Sequence, residues 1–439
     1  MYTSEIKKKL SDFRNKTGYA HQAAVFKNLL RWLFLVIPVA LVTGSAVAMF
    51  LILLHQATAC RFAHPWLLYL LPVAGILIHV IYKYAGKSSE RGNNLIIDEI
   101  HEPGAGVPKR MGVVILITTV ITHLFGGSAG REGTAVQIGG SIAGMFSSWF
   151  KLDDESRKTL LTAGVAAAFG AVFGTPLTGA VFAMEVLTIG RIQYSALFPC
   201  LVAGMAGDLT VSAWGVHHTS YHIDVLPNAD AVFANYFHLD LILLAKVFIA
   251  SVAFGFASYL FAAFTRFTRK LFLNSIPLSW LIPVLGGLII ISLAFLNGKP
   301  DYLGLGVEPE HAGAVTIVSA FKTGGADVWS WLWKTIYTGI TLGSGFKGGE
   351  VTPLFYIGAT LGNTLSVLLN APVSLFAALG FIAVFAGATN TPMACTIMGA
   401  ELFGGEYLVF FAVACFTAYY FSGTSGIYSS QRRAVQKTG

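Results

Sequence analysis

The sequence has few charged residues and few cysteines. Of its 439 residues only 12% are charged, whereas 55% are hydrophobic, and the mean hydropathy is +0.66. So little charge excludes a water-soluble globular enzyme of ordinary composition and indicates a polytopic membrane protein. The four cysteines lie in or beside apolar segments and lack the spacing of metal ligands, so we predict neither a metal site nor another cofactor.

Recognisable catalytic arrangements are missing as well. No Ser/His pair, paired Asp or His-Glu-x-x-His sequence lies in an apolar segment, and the polar stretches are too short for a soluble catalytic domain. We therefore do not expect an enzyme. The first apolar run, Leu29 to Leu54, is too long for the core of a cleavable signal and long enough to cross a bilayer.

Basic residues are concentrated near the two ends of the chain. Residues 1–31 carry seven Lys or Arg against two acidic residues, and the last eight residues carry three basic residues and no acid. The positive-inside bias predicts that both termini are cytoplasmic, that the protein lies in the cytoplasmic (inner) membrane, and that the number of crossings is even. We interpret these charges as topogenic, facing anionic lipid, and expect no nucleic-acid partner.

The hydropathy pattern divides the chain into five parts. We predict a cytoplasmic amphipathic helix at 1–28, a first membrane repeat at 29–215, a polar linker at 216–238, a second membrane repeat at 239–430 and a cytoplasmic tail at 431–439. Many apolar segments, 312–321 among them, are shorter than the ~20 residues that a full span needs. Short segments interrupted by glycine are typical of broken and re-entrant helices, which are tolerated where protein or water covers them.

Two stretches, 162–186 and 378–402, resemble each other at an offset of 216 residues. The matched residues are Gly164 and Gly380, Ala167 and Ala383, Phe169 and Phe385, Thr175-Pro176 and Thr391-Pro392, and Glu185 and Glu401, with Ile138-Gly139 and Ile357-Gly358 matching further upstream. The fold class predicted from this duplication is an all-α membrane protein of two inverted-topology repeats. Duplicated halves of this kind place a shared site where their interrupted helices meet near mid-membrane. The symmetry of the two glutamates favours a structural role near a membrane interface.

The segment Gly126 to Gly133 places one carboxylate, Glu132, among glycines and between apolar segments. Gly130 interrupts the preceding helix, and Gly133 lets another group approach the main chain closely. Because an apolar helical pattern resumes directly afterwards, we expect Glu132 at the N-terminus of a helix that begins inside the membrane. Such a terminus is a site for an anion. An ion pair of Glu132 with Arg131 is the structural alternative.

The matching segment of the second half runs from Gly343 to Pro353. It contains Glu350, a proton or cation acceptor, and Thr352, whose hydroxyl can donate to an anion. The alternative for Glu350 is an ion pair with Lys347. Two further breaks in the helical pattern, at 91–95 and 423–430, contain Asn93 and Tyr428. We predict that four interrupted helix starts converge on one anion site built from partial charges.

These motifs resemble those of the CLC family of chloride channels and anion/proton antiporters over about residues 25–430. The sequence of residues 130–133 is similar to the family motif GREGP, Pro176 and Pro392 fall at two of its helix starts, and Tyr428 falls at its anion-contacting tyrosine. The resemblance implies the CLC fold, a homodimer, and a gating role for Glu132. In that role the carboxylate competes with the anion when ionised and carries a proton when neutral.

Several departures from the chloride-transporting pattern resemble the fluoride-exporting branch of the family. Asn93 lies where chloride transporters have a serine, Val186 lies where exchangers have an inner proton-transfer glutamate, and a Glu-x-Thr pair is formed by Glu350 and Thr352. The resemblance implies a secondary active transporter that exports fluoride in exchange for protons and confers fluoride resistance. It assigns Glu132 to gating and proton transfer and Glu350 to the proton or ion pathway. The anion-binding set it implies is Asn93, Thr352, Tyr428, Gly130 and Gly133.

Three other interpretations remain at this stage. The nearest is a chloride/proton antiporter or chloride channel of the same fold, a cation-coupled transporter of another substrate is more distant, and an intramembrane enzyme is the most distant. His217, His218 and His222 could suggest a metal site, but in a polar stretch we interpret them as solvated.

Overall fold

The computed structural model describes residues 19–224, 240–435 and 437, and nearly all of the regular structure in them is helical. Fifteen α-helices lie within these ranges: α1 Tyr19–Ala63, α2 Leu71–Ile81, α3 Asn93–His101, α4 Met111–Leu124, α5 Glu132–Trp149, α6 Asp154–Phe173, α7 Pro176–Glu185, α8 Leu197–Ala213, α9 Leu241–Ser275, α10 Leu281–Asn297, α11 Ser330–Gly343, α12 Val351–Leu369, α13 Val373–Thr389, α14 Pro392–Phe403 and α15 Leu408–Phe421. Two short strands, β1 Thr188–Ile189 and β2 Arg432–Arg433, pair in parallel. The predicted all-α class is confirmed.

Five stretches of the described chain are long and apolar enough to cross a membrane. They are His21–Ala63, Pro65–Gly86, Tyr194–Ala213, Leu241–Ser275 and Val351–Leu369, whereas several other apolar helices are shorter. The predicted mixture of full spans and interrupted helices is therefore present. Pro65–Gly86 combines a 3₁₀ helix, α2 and a π-helical turn, so a span can be continuous without being one regular α-helix.

The first helix continues through the predicted boundary at residue 28. Residues 19–63 form one helix that passes through it, and residues 1–18 lie outside the described part of the chain. At 1.5 Å per residue this helix is roughly 67 Å long, about twice the hydrocarbon thickness of a bilayer. One end of it must therefore extend beyond the apolar layer, and no separate helix is needed for the polar residues at its start.

The apolar stretch at 312–321 is a loop that ends in a single 3₁₀ turn, Ser319–Phe321. The Asp301 carboxylate accepts the Val315 N–H at 2.9 Å, and the Ser319 hydroxyl accepts the Thr316 N–H at 2.8 Å. Because side chains satisfy this backbone, the loop can be packed into the protein without helical hydrogen bonds. Its apolar residues are buried by neighbouring elements rather than by a helix of their own.

The two repeats build the same helix crossing. Helices α5 and α6 approach at Gly139 and Gly164, and α12 and α13 approach at the equivalent Gly358 and Gly380. A Cβ atom on any of these glycines would overlap a backbone carbonyl of its partner. Small residues that let backbones approach closely are what hold helices together in lipid. The recurrence of both glycines shows that the duplication seen in the sequence is a duplication of structure.

The core between the repeats is rich in phenylalanine. Phe169 and its repeat equivalent Phe385 stack on each other, with ring centroids 6.4 Å apart and an interplanar angle of 17°. Phe182 stacks against both of them. Residues equivalent by duplication can touch only near the axis that relates the two repeats, so this cluster lies on that axis.

Glu185 and Glu401 hold the two repeats together reciprocally. The Glu185 carboxylate, at the end of α7, accepts the N–H groups of Met393 and Ala394 at the start of α14, at 3.0 and 2.7 Å. Glu401, near the end of α14, accepts the Leu177 and Thr178 N–H groups at the start of α7, at 2.9 and 2.8 Å. Each acid therefore satisfies orphan donors of the opposite helix start. This arrangement requires α7 and α14 to run antiparallel, as inverted repeats do.

Candidate functional site

The starts of α5 and α12, one from each repeat, meet through their backbones. Gly130 and Gly349 exchange two hydrogen bonds: the Gly130 N–H donates to Gly349 O at 2.6 Å, and the Gly349 N–H donates to Gly130 O at 2.7 Å. Two helix N-termini, each with unsatisfied N–H groups and a partial positive charge, are thus fixed next to each other. The interrupted helices of the two repeats meet as the duplication predicted.

Glu132 crosses this junction and lies on the start of the opposite helix. Its side chain is 1% exposed, and its two oxygens accept the Thr352 N–H at 3.0 Å and the Thr352 hydroxyl at 2.6 Å. The Arg131 N–H also donates to it, at 3.1 Å. The ion pair with Arg131, the structural alternative, is also present: the Arg131 Nε lies 3.7 Å from Glu132 Oε1, within range of an ion pair but too far for a hydrogen bond. The carboxylate therefore occupies the anion position that α12 offers.

Gly130 and Gly133 keep the junction open to close approach. A Cβ atom on Gly130 would lie 3.0 Å from a Glu132 oxygen and 2.9 Å from Pro353, and one on Gly133 would lie 3.0 Å from the Asn93 amide nitrogen. Any side chain at either position would push the carboxylate or the amide away from the helix starts. Their role in the geometry is therefore to have no side chain, and direct contact of their N–H groups with an anion stays a prediction.

The third helix start, α3, places Asn93 beside the junction. Gly92 precedes it in a left-handed conformation (φ +55°), as the predicted glycine break requires. The side-chain oxygen of Asn93 is buried without a hydrogen-bond partner in the described part of the protein, as is that of Gln137. Asn93 and Tyr428 line one cavity of about 20 Å³, here called the narrow cavity. A buried polar atom without a partner is typical of a place where a small ligand or water passes.

Tyr428 lies in an irregular segment and not at a helix start, so the fourth predicted helix start is wrong. Residues 423–431 form turns that lead to β2. The Arg266 guanidinium donates to Gly426 O at 2.8 Å, and Ile427 N–H donates to Ala388 O at 2.8 Å, so these backbone groups are bonded to other helices. Tyr428 itself is 7% exposed, which excludes a tyrosine at the lipid interface. Three helix starts and one loop therefore surround the site.

The segment after Tyr428 is hydrogen-bonded to both repeats. The Ser430 N–H donates to the Asn94 side-chain oxygen at 3.0 Å, next to Asn93. The Gln431 amide donates to Val186 O at 2.9 Å and to Thr389 O at 2.6 Å. These bonds fix the phenol relative to α3.

Glu350 is the residue directly before α12 and is partly buried. Together with Glu132 it lies close enough to the Tyr428 phenol to act on it electrostatically, and Arg266 acts on Glu350 in the same way. The alternative ion pair with Lys347 is not found among the described residues. The Lys347 ammonium lies instead over the ring of Tyr82, 4.2 Å from its centroid.

Two further cavities lie near Glu132 and share lining residues. A small one of about 20 Å³, here called the gate cavity, is lined by Glu132, Thr352, Arg131, His218 and Tyr221 among others. A large one of about 390 Å³, here called the wide cavity, shares Arg131 and His218 with it. Glu132 lines the gate cavity but not the narrow cavity, and the two cavities have no lining residue in common.

Several residues of this region are missed by the sequence pattern. Tyr221, in the predicted linker, stacks on Phe321 at 5.5 Å and lines the gate cavity, and His218 is only 21% exposed, so the prediction that it is solvated is wrong. The ring nitrogens of buried His123 lie 2.9 and 3.0 Å from the carbonyl oxygens of Thr119 and Ala129, which fixes the segment before Glu132. The sequence signal that could have indicated Tyr221 and His218 is a polar stretch that contains both histidine and tyrosine.

Another missed residue is Lys334, which is fully buried in α11. Its ammonium donates to Gly304 O at 2.8 Å and Tyr302 O at 3.2 Å and lies 5.2 Å from the ring centroid of Tyr356. Two carbonyls and an aromatic face offset the cost of burying this charge. Lys334 thereby holds the loop that forms one wall of the wide cavity.

Broken helices of two inverted repeats, with a buried carboxylate bound where their helix starts meet, are typical of a membrane transport protein. The chain belongs to the CLC family, because the model of the voltage gated chloride channel family matches residues 73–423. It is 47% identical over 411 residues to a chloride/fluoride channel protein of Pseudomonas syringae pv. tomato, covering 92% of this chain and 87% of that protein.

Solved structures agree with this assignment. A crystal structure of a CLC-type fluoride/proton antiporter superimposes with a TM-score of 0.85 at 33% identity, covering 92% of this chain and 98% of that one. A slow cyanobacterial Cl⁻/H⁺ antiporter superimposes with a TM-score of 0.71 at 20% identity, covering 91% and 96%, which supports the fold alone.

Proposed function

We propose that this protein exports fluoride in exchange for protons across the cytoplasmic membrane. The observation that carries the proposal is the Glu132 carboxylate bound to the N–H and hydroxyl of Thr352, at 3.0 and 2.6 Å. Two hydrogen-bond donors at a helix N-terminus bind a carboxylate and a small anion by the same chemistry. Glu132 and a halide therefore compete for one position.

Protonation of Glu132 decides the competition. As a carboxylate, the side chain accepts both bonds from Thr352 and closes the path. As a neutral acid it loses its charge-assisted bonds and leaves, and a halide takes its place on the same donors. The proton travels with Glu132 while the anion occupies the site, so movement of the two is coupled. Fluoride is a stronger base than chloride and more strongly hydrated, so several well-aimed donors and nearby acids suit it.

Asn93, Tyr428 and Glu350 complete the pathway. Asn93 and Tyr428 bring neutral donors to the narrow cavity, so an anion passes without being trapped by a full positive charge. Glu350 lies near Tyr428 and beside the same helix start as Thr352, a position from which a carboxyl group can exchange a proton with the anion path. Val186 lines this cavity, where exchangers of the family carry a proton-transfer glutamate.

The orientation follows from the charges. With both termini cytoplasmic, the narrow cavity, next to the C-terminal strand, faces the cytoplasm and the wide cavity faces outward. The end of α1 that lines the wide cavity lies far along the helix from the basic N-terminal residues. We further propose a homodimer, as the family resemblance implies, and a cellular role in fluoride resistance.

The relatives favour fluoride without excluding chloride. The structure at 33% identity is that of a fluoride/proton antiporter, whereas the relative at 47% identity is named a chloride/fluoride channel protein. A chloride/proton antiporter or channel is therefore the second candidate. In that case, replacing Asn93 by Ser would leave the halide preference unchanged.

The test is efflux from proteoliposomes with simultaneous pH recording. Vesicles loaded with fluoride or with chloride are diluted into halide-free buffer, and halide release and internal pH are followed together. The proposal predicts that fluoride leaves much faster than chloride and that protons enter as it leaves. Equal rates for both halides would favour the second candidate, and halide release without a pH change would indicate a channel.

A further inference from the structure

Two residues that line the gate cavity each have a buried side-chain nitrogen atom without a hydrogen-bond partner among the described residues. The two atoms are Arg131 Nε and His218 Nε2. The nearest acidic oxygens are Glu132 Oε1, 3.7 Å from Arg131 Nε, and Asp208 Oδ1, 3.9 Å from His218 Nε2. Buried donors without partners are uncommon and costly.

Both residues line the gate cavity together with Glu132, and both also line the wide cavity. Tyr221 and Thr352 also line the gate cavity. Arg131 carries a permanent positive charge and only donors, and His218 with its proton on Nε2 adds a second N–H. The Tyr221 phenol lies close enough to Arg131 and Glu132 to interact with both electrostatically. The donor groups that line this cavity therefore favour a hydrogen-bond acceptor that carries a negative charge.

The size of the cavity limits the ligand. Its volume of about 20 Å³ is that of roughly one or two water-sized spheres. Fluoride is close to water in size, whereas chloride is larger.

We propose that Arg131 and His218 form an outer halide station, through which an anion leaves the Thr352 position for the wide cavity. This inference rests on the proposed function and extends it by one binding site. The station does not trap the ion, because the returning Glu132 carboxylate brings Oε1 to 3.7 Å from Arg131 Nε and weakens the attraction of the guanidinium for a second anion. Return of the gate therefore promotes release outward.

The segment that carries His218 is held rigidly enough for this role. Gly174 ends α6 in a left-handed conformation (φ +70°), and a Cβ atom there would overlap the His218 ring. Tyr221, three residues on, is stacked on Phe321 and lies 5.3 Å from the Phe381 ring centroid. The imidazole is thus packed against the end of α6, and the aromatic contacts of Tyr221 hold the segment that follows it.

The inference is tested by measuring fluoride affinity separately on the two sides of the membrane. In right-side-out membrane vesicles, external fluoride inhibits efflux by occupying the station. His218→Leu and Arg131→Lys, which each remove one of the two nitrogens, should raise the half-inhibiting external fluoride concentration by about tenfold. The internal concentration for half-maximal efflux should change by less than twofold. His222→Leu, an exposed histidine of the same segment, is the matched control and should behave as wild type.

A second readout is independent of transport. Calorimetric titration of sodium fluoride into the purified protein should show affinity about tenfold weaker in His218→Leu than in wild type or His222→Leu. Equal external affinity and equal titration curves in wild type and His218→Leu would overturn the station and assign water to the cavity. If wild-type efflux carries no protons, the proposed coupling fails, whereas the titration still reports the station.

Discussion

Glu132 of the first repeat is bound by Thr352 of the second, through both the backbone N–H and the side-chain hydroxyl. The two residues lie at the first turns of α5 and α12, whose preceding backbones are joined by the Gly130–Gly349 bridge. Neither repeat contains the site by itself. The contact between Glu132 and Thr352 therefore exists only because the helix starts of the two halves are held together.

Removing the Thr352 hydroxyl should weaken the site without changing its shape. In Thr352→Val the N–H remains and the donor at 2.6 Å from Glu132 is lost. A hydrogen bond to a charged group contributes about 1.5–3 kcal/mol, so fluoride efflux at limiting concentration should fall by at least about tenfold. Thr352→Ser, which keeps the hydroxyl, should restore most of it. A Val variant as fast as wild type would contradict the role of the hydroxyl.

Glu185 should matter for stability and not for halide choice. In Glu185→Ala the N–H groups of Met393 and Ala394 at the start of α14 lose their acceptor, which should cost roughly 1–3 kcal/mol of unfolding free energy. Thermal unfolding in detergent measures this as a lower midpoint. Glu155→Ala, whose carboxylate is 81% exposed in a surface ion pair, is the control and should change little. A changed fluoride-to-chloride ratio in folded Glu185→Ala would contradict a purely structural role.

Gln431 should act on transport by positioning Tyr428. Gln431 follows Tyr428 by three residues in the chain. Its side-chain amide is hydrogen-bonded to Val186 O, Thr389 O and the Asn390 side chain. Gln431→Ala should let Tyr428 move and lower the fluoride-to-chloride efflux ratio severalfold, whereas Gln193→Ala, an exposed glutamine, should not. An unchanged ratio together with an unchanged rate would show that the C-terminal segment only covers the site.

The loop between α10 and α11 should be more stable at mildly acidic pH. The Ala312 carbonyl and then the Asp301 carboxylate raise the pKa of His311 above its usual value near 6.5. A raised pKa in the folded state means that the stabilisation is fully present below the unfolded pKa and is lost as pH rises through the folded value. Hydrogen exchange of this loop should therefore show more protection at pH 5.5 than at pH 8. In His311→Ala that difference should disappear, and a difference that persists would contradict the assignment.

Part of the site could be predicted from the sequence because the signals are local. Glycines at 126–133 that interrupt an apolar pattern require a helix start, and a carboxylate at that start must lie in the membrane. The equivalence of Glu185 and Glu401 under the duplication predicted a structural role for both, and each is bound to the start of the opposite helix. Such patterns predict positions along the chain, and here those positions are correct.

Other features depend on contacts that no local pattern reports. The polar composition of residues 216–224 is typical of a linker. Tyr221 nevertheless lines the gate cavity, because its ring stacks on Phe321, about a hundred residues away in sequence. The glycines around Tyr428 look like another helix start, but Arg266 and Ala388 bind that backbone instead. In both cases the contacts are made with residues that are distant in sequence, so the local sequence pattern does not predict them.

The central claim is that the Glu132 side chain carries the proton and alternates with the halide on Thr352. The most direct measurement is proton movement into fluoride-loaded proteoliposomes containing Glu132→Gln, with Glu155→Gln as the matched control. An amide cannot carry the proton, so the account predicts that a fluoride gradient no longer drives protons in Glu132→Gln and that fluoride flux is altered or blocked. Proton uptake at the wild-type rate in that variant would contradict the claim.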